Sequence, residues 1–281
     1  MLDSEINFLA HDIQDFLGVK LGIKPCARLT MSIERFRILK KICDKHGIYC
    51  EYKEFDPKFG PSSKNDIMVY LSTHEGNIDK IYKADMAARL LDIGRLLGYP
   101  ECCISFFGTF NNENDRSPFP LDISKRSRTC SFLINNLYNF DGNIRQKYSK
   151  KYELFSKKIG SIKRIRYITH IPCSYDCKES IRAAGVLRKE MKIECPELAA
   201  RTDNILKGPV LYHNRFSWLT FEGKFRVRIL KYNKVKKVGT LFPVSIREKI
   251  EKENEIRVYD KFLILGGNQK IKMKAKVIDF K

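Results

Sequence analysis

The stretch "SIERFRILKKICDKHGIYCEYKEF", residues 32–55, decides the fold class of the N-terminal third. Its first half places apolar residues at helical spacing between a serine and Gly47, which predicts an amphipathic helix with a serine cap. Its second half alternates as a strand does. A polar loop that contains proline and glycine, residues 56–66, then leads to a second strand, "IMVYLST" (67–73). This succession predicts α/β (α+β) structure for the N-terminal and central part.

The C-terminal quarter has a different pattern. From Pro209 onward, short alternating runs are separated by glycine-bearing turns, as in "RFSWLTFEGKFRVRIL" (215–230) and "KFLILGGNQKIKMKAKVIDF" (261–280). Alternation of this kind with frequent turns is typical of antiparallel strands. We therefore expect a small β-rich C-terminal domain.

The middle of the chain predicts three further elements. Residues 82–98, "YKADMAARLLDIGRLLG", indicate one helix that ends at Gly98. Residues 130–160 indicate another helix, and "SIKRIRYITH" (161–170) alternates as a strand that ends at His170. The expected organisation is a small α/β region over 1–80, a helix-rich domain with the cysteine motifs over 81–207 and the β-rich domain over 208–281.

The positive charge is concentrated in two segments. The net charge is +20, and residues 144–192 and 223–281 carry surpluses of 10 and 11 basic residues. Such segments suit a polyanion, and tRNA or another RNA is the partner we expect. The alternative is a lysine-rich surface of the kind found in heat-adapted or salt-adapted proteins. Aromatic residues occur among the charges of 212–232, but they alternate as strand residues do, which favours core packing over base stacking.

Composition also limits the location and the redox chemistry. No run approaches the roughly 18 apolar residues of a membrane span, so we expect no membrane partner. The N-terminus starts acidic and lacks the layout of a secretory signal, which predicts a cytoplasmic protein. Nine unevenly spaced cysteines in a reducing compartment argue against a disulfide scaffold. The oligomeric state cannot be read from the sequence.

Two cysteine motifs, "GYPECC" (98–103) and "HIPCSYDC" (170–177), share one design. Each has a proline just before its cysteines, at a point where a helix could begin. First-turn thiols would benefit from unpaired backbone N–H groups and the positive end of the helix dipole, which favour thiolate. A helix through Cys173 and Cys177 would place both on one face. Cys102 and Cys103 would point about 100° apart, which suits a bulky cluster better than one compact ion.

These four cysteines predict one shared site that holds either an iron-sulfur cluster or zinc. His170, at the expected end of a strand, is a candidate ligand, a neighbour of the ligands or a catalytic acid or base. A site without metal remains an alternative, with a disulfide between Cys102 and Cys103 or with Cys173 as nucleophile. The other five cysteines stand singly in apolar contexts and are interpreted as ordinary buried residues: Cys26, Cys43, Cys50, Cys130 and Cys195.

Several known cysteine motifs do not match this sequence. A zinc deaminase needs Pro-Cys-x-x-Cys, whereas "PCSYDC" has three intervening residues. A radical enzyme would show a third nearby cysteine, and a thioredoxin-type site needs Cys-x-x-Cys. Cysteine proteases pair a thiol with a distant histidine, but the spacing selects none.

The two motifs, followed by "GPVLYHNRF" (208–216), resemble a family of functionally uncharacterised proteins found chiefly in methanogenic archaea and in some bacteria. The shared pattern is Gly-Tyr-Pro-x-Cys-Cys and then His-x-Pro-Cys with a further cysteine and a serine, here Cys177 and Ser180. The resemblance runs from about residue 84 to the C-terminus. It implies that the two blocks belong together, but it implies no activity.

Two functional hypotheses follow from the sequence. The first is a metal-binding or iron-sulfur protein whose single cysteine site serves redox or Lewis-acid chemistry. The second is an RNA-binding or tRNA-modifying protein in which the basic segments contact phosphates and the cysteine site is structural or catalytic.

Overall fold

A computed structural model describes residues 12–53, 66–111, 120–136, 166–214, 217–238, 242–267 and 269–281. The chain forms two compact units. The described parts of Met1–Ser117, Tyr167–Cys173 and Lys178–Ala199 form unit 1, and those of Pro118–Arg166, Ser174–Cys177 and Ala200–Lys281 form unit 2. The mixed α+β fold with a β-rich C-terminal region is confirmed. The predicted boundaries near residues 80 and 207 stay predictions.

Helices and strands are mixed in the N-terminal part of the chain, helices follow in the middle, and strands predominate from Gly208 onward. The first group is α1 (Ile13–Lys20), β1 (Cys26–Ser32), α2 (Ile33–Lys45), β2 (Tyr49–Lys53), β3 (Asp66–Ser72), α3 (Glu75–Met86), α4 (Leu90–Leu96), α5 (Glu101–Asn111) and α6 (Pro120–Lys125), with a 3₁₀ turn at Phe132–Ile134. The second group is α7 (Lys178–Glu194), α8 (Pro196–Leu206), β4 (Gly208–Asn214), β5 (Ser217–Arg226), β6 (Ile229–Val238), α9 (Val244–Glu251), β7 (Glu255–Val258), β8 (Leu263–Leu265), β9 (Gln269–Ile271) and β10 (Lys276–Phe280).

Unit 1 is built on a three-stranded antiparallel sheet in the order β1-β3-β2. The predicted helix after Ser32 is confirmed, because the Ser32 hydroxyl accepts a hydrogen bond from the Arg35 N–H at 3.4 Å as a helix cap. Its buried face carries Leu39 and Ile42. Strand β1 was not predicted; it pairs along its whole length with the central strand β3 and forms one edge of the sheet.

The single helix predicted over residues 82–98 is wrong. The chain forms α3 and α4 instead, separated by a turn in which Ala88 has φ 50°. The Arg89 N–H donates to the Ala84 carbonyl at 2.9 Å, which closes α3 as a glycine at this position often does. An alanine in a left-handed conformation gives no signal in a helical pattern, so the break was invisible in the sequence.

Gly98 ends α4 as predicted, and it also has a packing role. Its φ is +71°, and a Cβ at this position would lie 2.6 Å from the Ile23 carbonyl oxygen. Only glycine therefore allows the backbone of residues 98–100 to approach the loop before β1 this closely. The glycine sets the position from which the first cysteine motif begins.

Two predictions for the segment before α7 need correction. The strand over 161–170 is wrong for its described part, since residues 166–170 form irregular backbone without a paired partner strand among the described residues. Tyr167 and Ile168 are nevertheless buried. The alternation of apolar and polar residues in this segment therefore reflects burial and not pairing with another strand. Of the helix predicted over 130–160, the described part is the 3₁₀ turn and irregular chain to residue 136. The remainder lies outside the described residues.

Unit 2 contains a seven-stranded antiparallel sheet in the order β10-β4-β5-β6-β7-β8-β9. One face of this sheet packs on a core that includes Leu211, Phe221, Leu230 and Ile256. Strands β5 and β6 form a long hairpin whose two-residue turn is Val227–Arg228. None of the helices in the described part of the chain combines the length and the apolar character needed to cross a membrane.

Candidate metal centre

Helix α5 positions the first two cysteines. It begins directly after Pro100, whose carbonyl accepts the N–H groups of Cys103 at 2.8 Å and Ile104 at 3.0 Å. Cys102 and Cys103 therefore lie in the first helical turn, as predicted. The positive end of the helix dipole acts at this turn.

The second motif does not begin a helix at its cysteines, which corrects the sequence interpretation. Residues 173–177 form a turn, in which the Cys177 N–H donates to the Ser174 carbonyl at 3.2 Å. Helix α7 begins only at Lys178. Proline is tolerated in a loop as well as at the start of a helix, so Pro172 does not distinguish between the two. Cys173 and Cys177 approach each other because the chain turns and not because they share a helical face.

Tyr175 anchors this turn. Its side chain is fully buried and its ring packs edge-on against Phe280, with the centroids 4.8 Å apart. Its N–H donates to the Ser127 hydroxyl at 2.6 Å and its carbonyl accepts the Ser131 N–H at 2.9 Å. The conformation of residues 173–177 is thus fixed by packing as well as by its own turn.

The structure brings the four predicted cysteines together. The sulfur atoms of Cys102, Cys103, Cys173 and Cys177 all lie within 4.8 Å of one another, close enough to hold a metal ion. The Sγ atoms of Cys102 and Cys103 are 3.9 Å apart. Two blocks separated by about 70 residues of sequence therefore contribute to one cluster, which we call the cysteine cluster.

Hydrogen bonds surround the sulfur of Cys103. The Cys173 N–H donates to Cys103 Sγ at 3.3 Å, and the Ser180 hydroxyl lies 3.4 Å from the same sulfur. Ser180 Oγ is also 2.8 Å from Nε2 of His170. Donors of this kind stabilise negative charge on a sulfur. His170 is therefore linked to the cysteine cluster through Ser180, in the position of a residue that orients a ligand.

Burial differs among the four cysteines. Cys103 and Cys177 are buried, with 2% and 7% of their surface exposed, whereas Cys173 is half-buried and Cys102 is exposed. The cysteine cluster can therefore be reached from solvent on the side of Cys102. All nine cysteines of the chain lie within the described residues and are thiols in this structure.

A cavity of about 230 Å³ lies in unit 1 beside Cys103. Its walls are mostly apolar, from α4 and α5, and its polar groups come from Arg28, Thr169 and His170. The Tyr99 ring, also in the wall, packs against His170 with the ring centroids 5.0 Å apart. A molecule in this cavity would reach the wall formed by Cys103. The sequence did not predict Arg28, because a strand residue with one acidic partner has no distinctive pattern.

A buried lysine behind this wall was also not predicted. Lys24 forms an ion pair with Asp15 and donates to the Thr169 hydroxyl at 2.8 Å. Its alkyl stem lies against Gly18, where a Cβ would be 2.8 Å from Lys24 Cδ. Lys24 thus holds Thr169 and the neighbouring His170 segment in place through a paired charge.

The remaining cysteines are largely buried, as interpreted from the sequence. Burial raises the pKa of Cys26, Cys130 and Cys195 to about 11 in each case. The hydrogen bond to Cys50, together with burial, raises the pKa of Cys43 far above its ordinary value. Cys43 and Cys50 are therefore neighbours, which corrects the interpretation that each stands singly. Thiols with raised pKa values are poor metal ligands and weak nucleophiles.

Comparison with known protein families, with curated proteins and with solved structures found no match. The resemblance to a family of methanogenic archaea stays a prediction.

Proposed function

We propose that the chain binds one divalent metal ion, best matched by zinc, through Cys102, Cys103, Cys173 and Cys177. The observation that carries the proposal is the 4.8 Å limit on all sulfur separations. Sulfurs around one tetrahedral zinc ion with bonds of ~2.3 Å lie about 3.8 Å apart. The 3.9 Å between Cys102 and Cys103 matches this value. The other pairs need to close by about 1 Å at most.

An iron-sulfur cluster fits this spacing less well. A cluster distributes its cysteines over two or more iron atoms, so some of its ligand sulfurs stand further apart than those that share one ion. The sequence argument that Cys102 and Cys103 suit a bulky cluster loses weight, because their sulfurs already approach to 3.9 Å.

Charge balance supports a structural centre. Four thiolates with one divalent ion carry two net negative charges, which the helix dipoles at the first turn of α5 and at the start of α7 partly offset. The Cys173 N–H and the Ser180 hydroxyl at Cys103 add direct donors. A four-thiolate zinc ion supplies structural cross-linking rather than an open coordination position. The centre would therefore hold the 173–177 turn on the first turn of α5.

Metal and acid-labile sulfide analysis of anaerobically purified protein tests this proposal, with two matched variants. Cys177 and Cys195 are equally buried, at 7% exposure each. We expect about one zinc per chain in the wild type and in Cys195→Ser, and none in Cys177→Ser. Iron and acid-labile sulfide in place of zinc would contradict the zinc proposal and indicate an iron-sulfur cluster instead. Equal metal content in both variants would contradict the four-cysteine centre.

A second candidate function, RNA binding, is favoured by one face of the sheet in unit 2. Directly paired residues project from the same face of a sheet. The register aligns Arg226, Ile229, Arg257, Ile264 and Lys270 in one row across β5 to β9. The intervening row, which includes Leu230 and Ile256, is buried in the core, so the basic row points away from it.

A second basic row lies next to the first on this outer face. Lys224 pairs with Lys231, which pairs with Glu255. A groove of about 530 Å³ runs over these residues and is also lined by Asn233 and Asn254. The Glu255 carboxylate lies 3.6 Å from Lys231 and 3.3 Å from Arg257, so it pairs with two cations of this face. We call this surface the basic sheet face and propose that it contacts RNA phosphates.

Titration of tRNA at two salt concentrations tests RNA binding. We expect the affinity to fall steeply between about 50 and 200 mM salt, and the double variant Arg257→Glu/Lys270→Glu to weaken it further. Arg37→Glu/Lys40→Glu, with the same charge change on exposed positions of α2, is the matched control. Absence of binding at low salt, or equal losses in the two double variants, would contradict this role. Of the basic segment 144–192, residues 144–165 lie outside the described residues.

A further inference from the structure

A pair of aromatic rings ends the basic sheet face. Tyr259 and Phe262 flank the β7–β8 turn, in which the Tyr259 N–H donates to the Phe262 carbonyl at 3.0 Å. The two rings are stacked, with centroids 4.7 Å apart and planes inclined by 19°. Both side chains are half-exposed. Tyr259 comes two residues after Arg257, and Phe262 comes two residues before Ile264. Because side chains of a strand alternate between its two faces, both rings lie on the outward side of the sheet with Arg257 and Ile264.

Two cations flank the ring pair. Lys270 Nζ lies 4.1 Å from the Phe262 ring centroid, and the Arg228 guanidinium carbon lies 6.0 Å from the Tyr259 centroid. A flat base inserted between a guanidinium and a ring needs two layers of about 3.5 Å each. The 6.0 Å between the Arg228 guanidinium carbon and the Tyr259 ring centroid is therefore about 1 Å less than an inserted base needs. Bases of unpaired RNA stack on aromatic rings and on arginine planes.

The hairpin turn that carries Arg228 has an unfavourable sequence. Val227 and Arg228 have φ values of 46° and 67°, the left-handed region that asparagine and glycine normally occupy in a two-residue hairpin. A β-branched residue is rarely found there. Val227 is also 91% exposed, so packing does not account for its presence. Strain of this kind concentrates at functional positions, where it fixes a side chain that the function requires.

We infer that Tyr259, Phe262 and Arg228 form a stacking site for an unpaired base of RNA, while the basic sheet face contacts the adjoining phosphates. This inference rests on the proposed RNA function and deepens it, because it names single-stranded RNA as the ligand class. A duplex hides its bases and can use only the phosphate contacts. The site thus separates single-stranded from double-stranded RNA at equal charge.

Fluorescence anisotropy with a labelled ten-nucleotide oligouridylate and an RNA duplex of equal phosphate number tests the inference. We expect Tyr259→Leu to weaken oligouridylate binding roughly tenfold and to leave duplex binding unchanged. Tyr49→Leu, which alters a tyrosine that is 47% exposed on β2, is the matched control. Equal effects of Tyr259→Leu on both ligands, or none on either, would overturn the stacking site while RNA binding stands. Failure of the wild type to bind either ligand would overturn the RNA function itself.

Arg228→Gly separates a loss of contact from a loss of folding. Glycine relieves the left-handed strain at this turn, so the midpoint of thermal unfolding should rise. Oligouridylate affinity should nevertheless fall, because the guanidinium is lost. A variant with a higher midpoint and unchanged affinity would contradict the role of Arg228.

Discussion

The cysteine cluster and the Cys43–Cys50 pair both bring sulfurs together, but their surroundings differ. Cys43 and Cys50 are 0% and 2% exposed, and their mutual hydrogen bond and burial raise the pKa of Cys43. At the cysteine cluster, by contrast, Cys102 is exposed, and Cys103 Sγ accepts a backbone N–H at 3.3 Å.

The comparison shows that proximity of sulfur alone does not make a metal site. A ligand must be a thiolate, and burial without donors favours the neutral thiol. Helix N-termini and N–H groups supply the missing stabilisation at the cysteine cluster. The Cys43–Cys50 pair joins α2 to β2 as apolar packing instead.

Metal removal gives the largest contrast between the two regions. A zinc concentration 1,000-fold above the dissociation constant stabilises a binding protein by about 4 kcal/mol. For a chain of this size the midpoint of thermal unfolding should then fall by roughly 10 °C when a chelator is added. Calorimetry should show this shift in the wild type and in Cys43→Ala, and no shift in Cys103→Ser. A shift that survives in Cys103→Ser, or disappears in Cys43→Ala, would reverse the assignment of the two regions.

Removal of one hydroxyl beside the cysteine cluster should have a smaller effect. Ser180→Ala deletes the group between Cys103 Sγ and His170 Nε2. We expect zinc affinity, measured by competition with a chromophoric chelator, to fall by about 10-fold to 100-fold. Ser72→Ala is the matched control, since Ser72 is also fully buried and its hydroxyl donates to the Pro25 carbonyl at 2.7 Å. Similar affinities in the two variants would show that Ser180 does not support the centre.

The smallest effect concerns alkaline stability of a buried thiol outside the cysteine cluster. Burial raises the pKa of Cys195 from 9.0 to about 11. Between these values the unfolded chain releases a proton that the folded chain retains, so this contribution to stability is present below pH 9 and is lost as the pH rises to about 11. Cys195→Ala should therefore flatten the decline in unfolding free energy by at most about 1.4 kcal/mol per pH unit. Denaturant unfolding at several pH values measures the slope, and an unchanged slope would show that Cys195 titrates normally.

The sequence predicted the grouping of the four cysteines better than their local structure. Two motifs with a proline before paired sulfurs were sufficient to associate Cys102 and Cys103 with Cys173 and Cys177. Pro172 in the second motif was wrongly interpreted as a helix start, because the fixed φ of proline suits a turn equally well. The helix cap at Ser32 and the helix end at Gly98 could be predicted from the sequence, because each depends on the residue's own backbone and on its neighbours in sequence.

Features that depend on distant contacts were not readable. The place of Cys43 beside Cys50 depends on how α2 meets β2. The aromatic residues of 212–232 were expected to be core, and Phe221 and Tyr232 are indeed buried there. The stacked pair Tyr259 and Phe262 was missed because its partners come from a neighbouring hairpin and from β9.

X-ray absorption spectroscopy of the zinc-loaded protein tests the central claim most directly, since it counts the atoms bound to the metal. The account predicts a single shell of four sulfurs at about 2.3 Å from one zinc ion, without a second metal nearby. Fewer than four sulfurs, nitrogen or oxygen ligands in their place, or a short metal–metal distance would contradict a four-cysteine zinc centre.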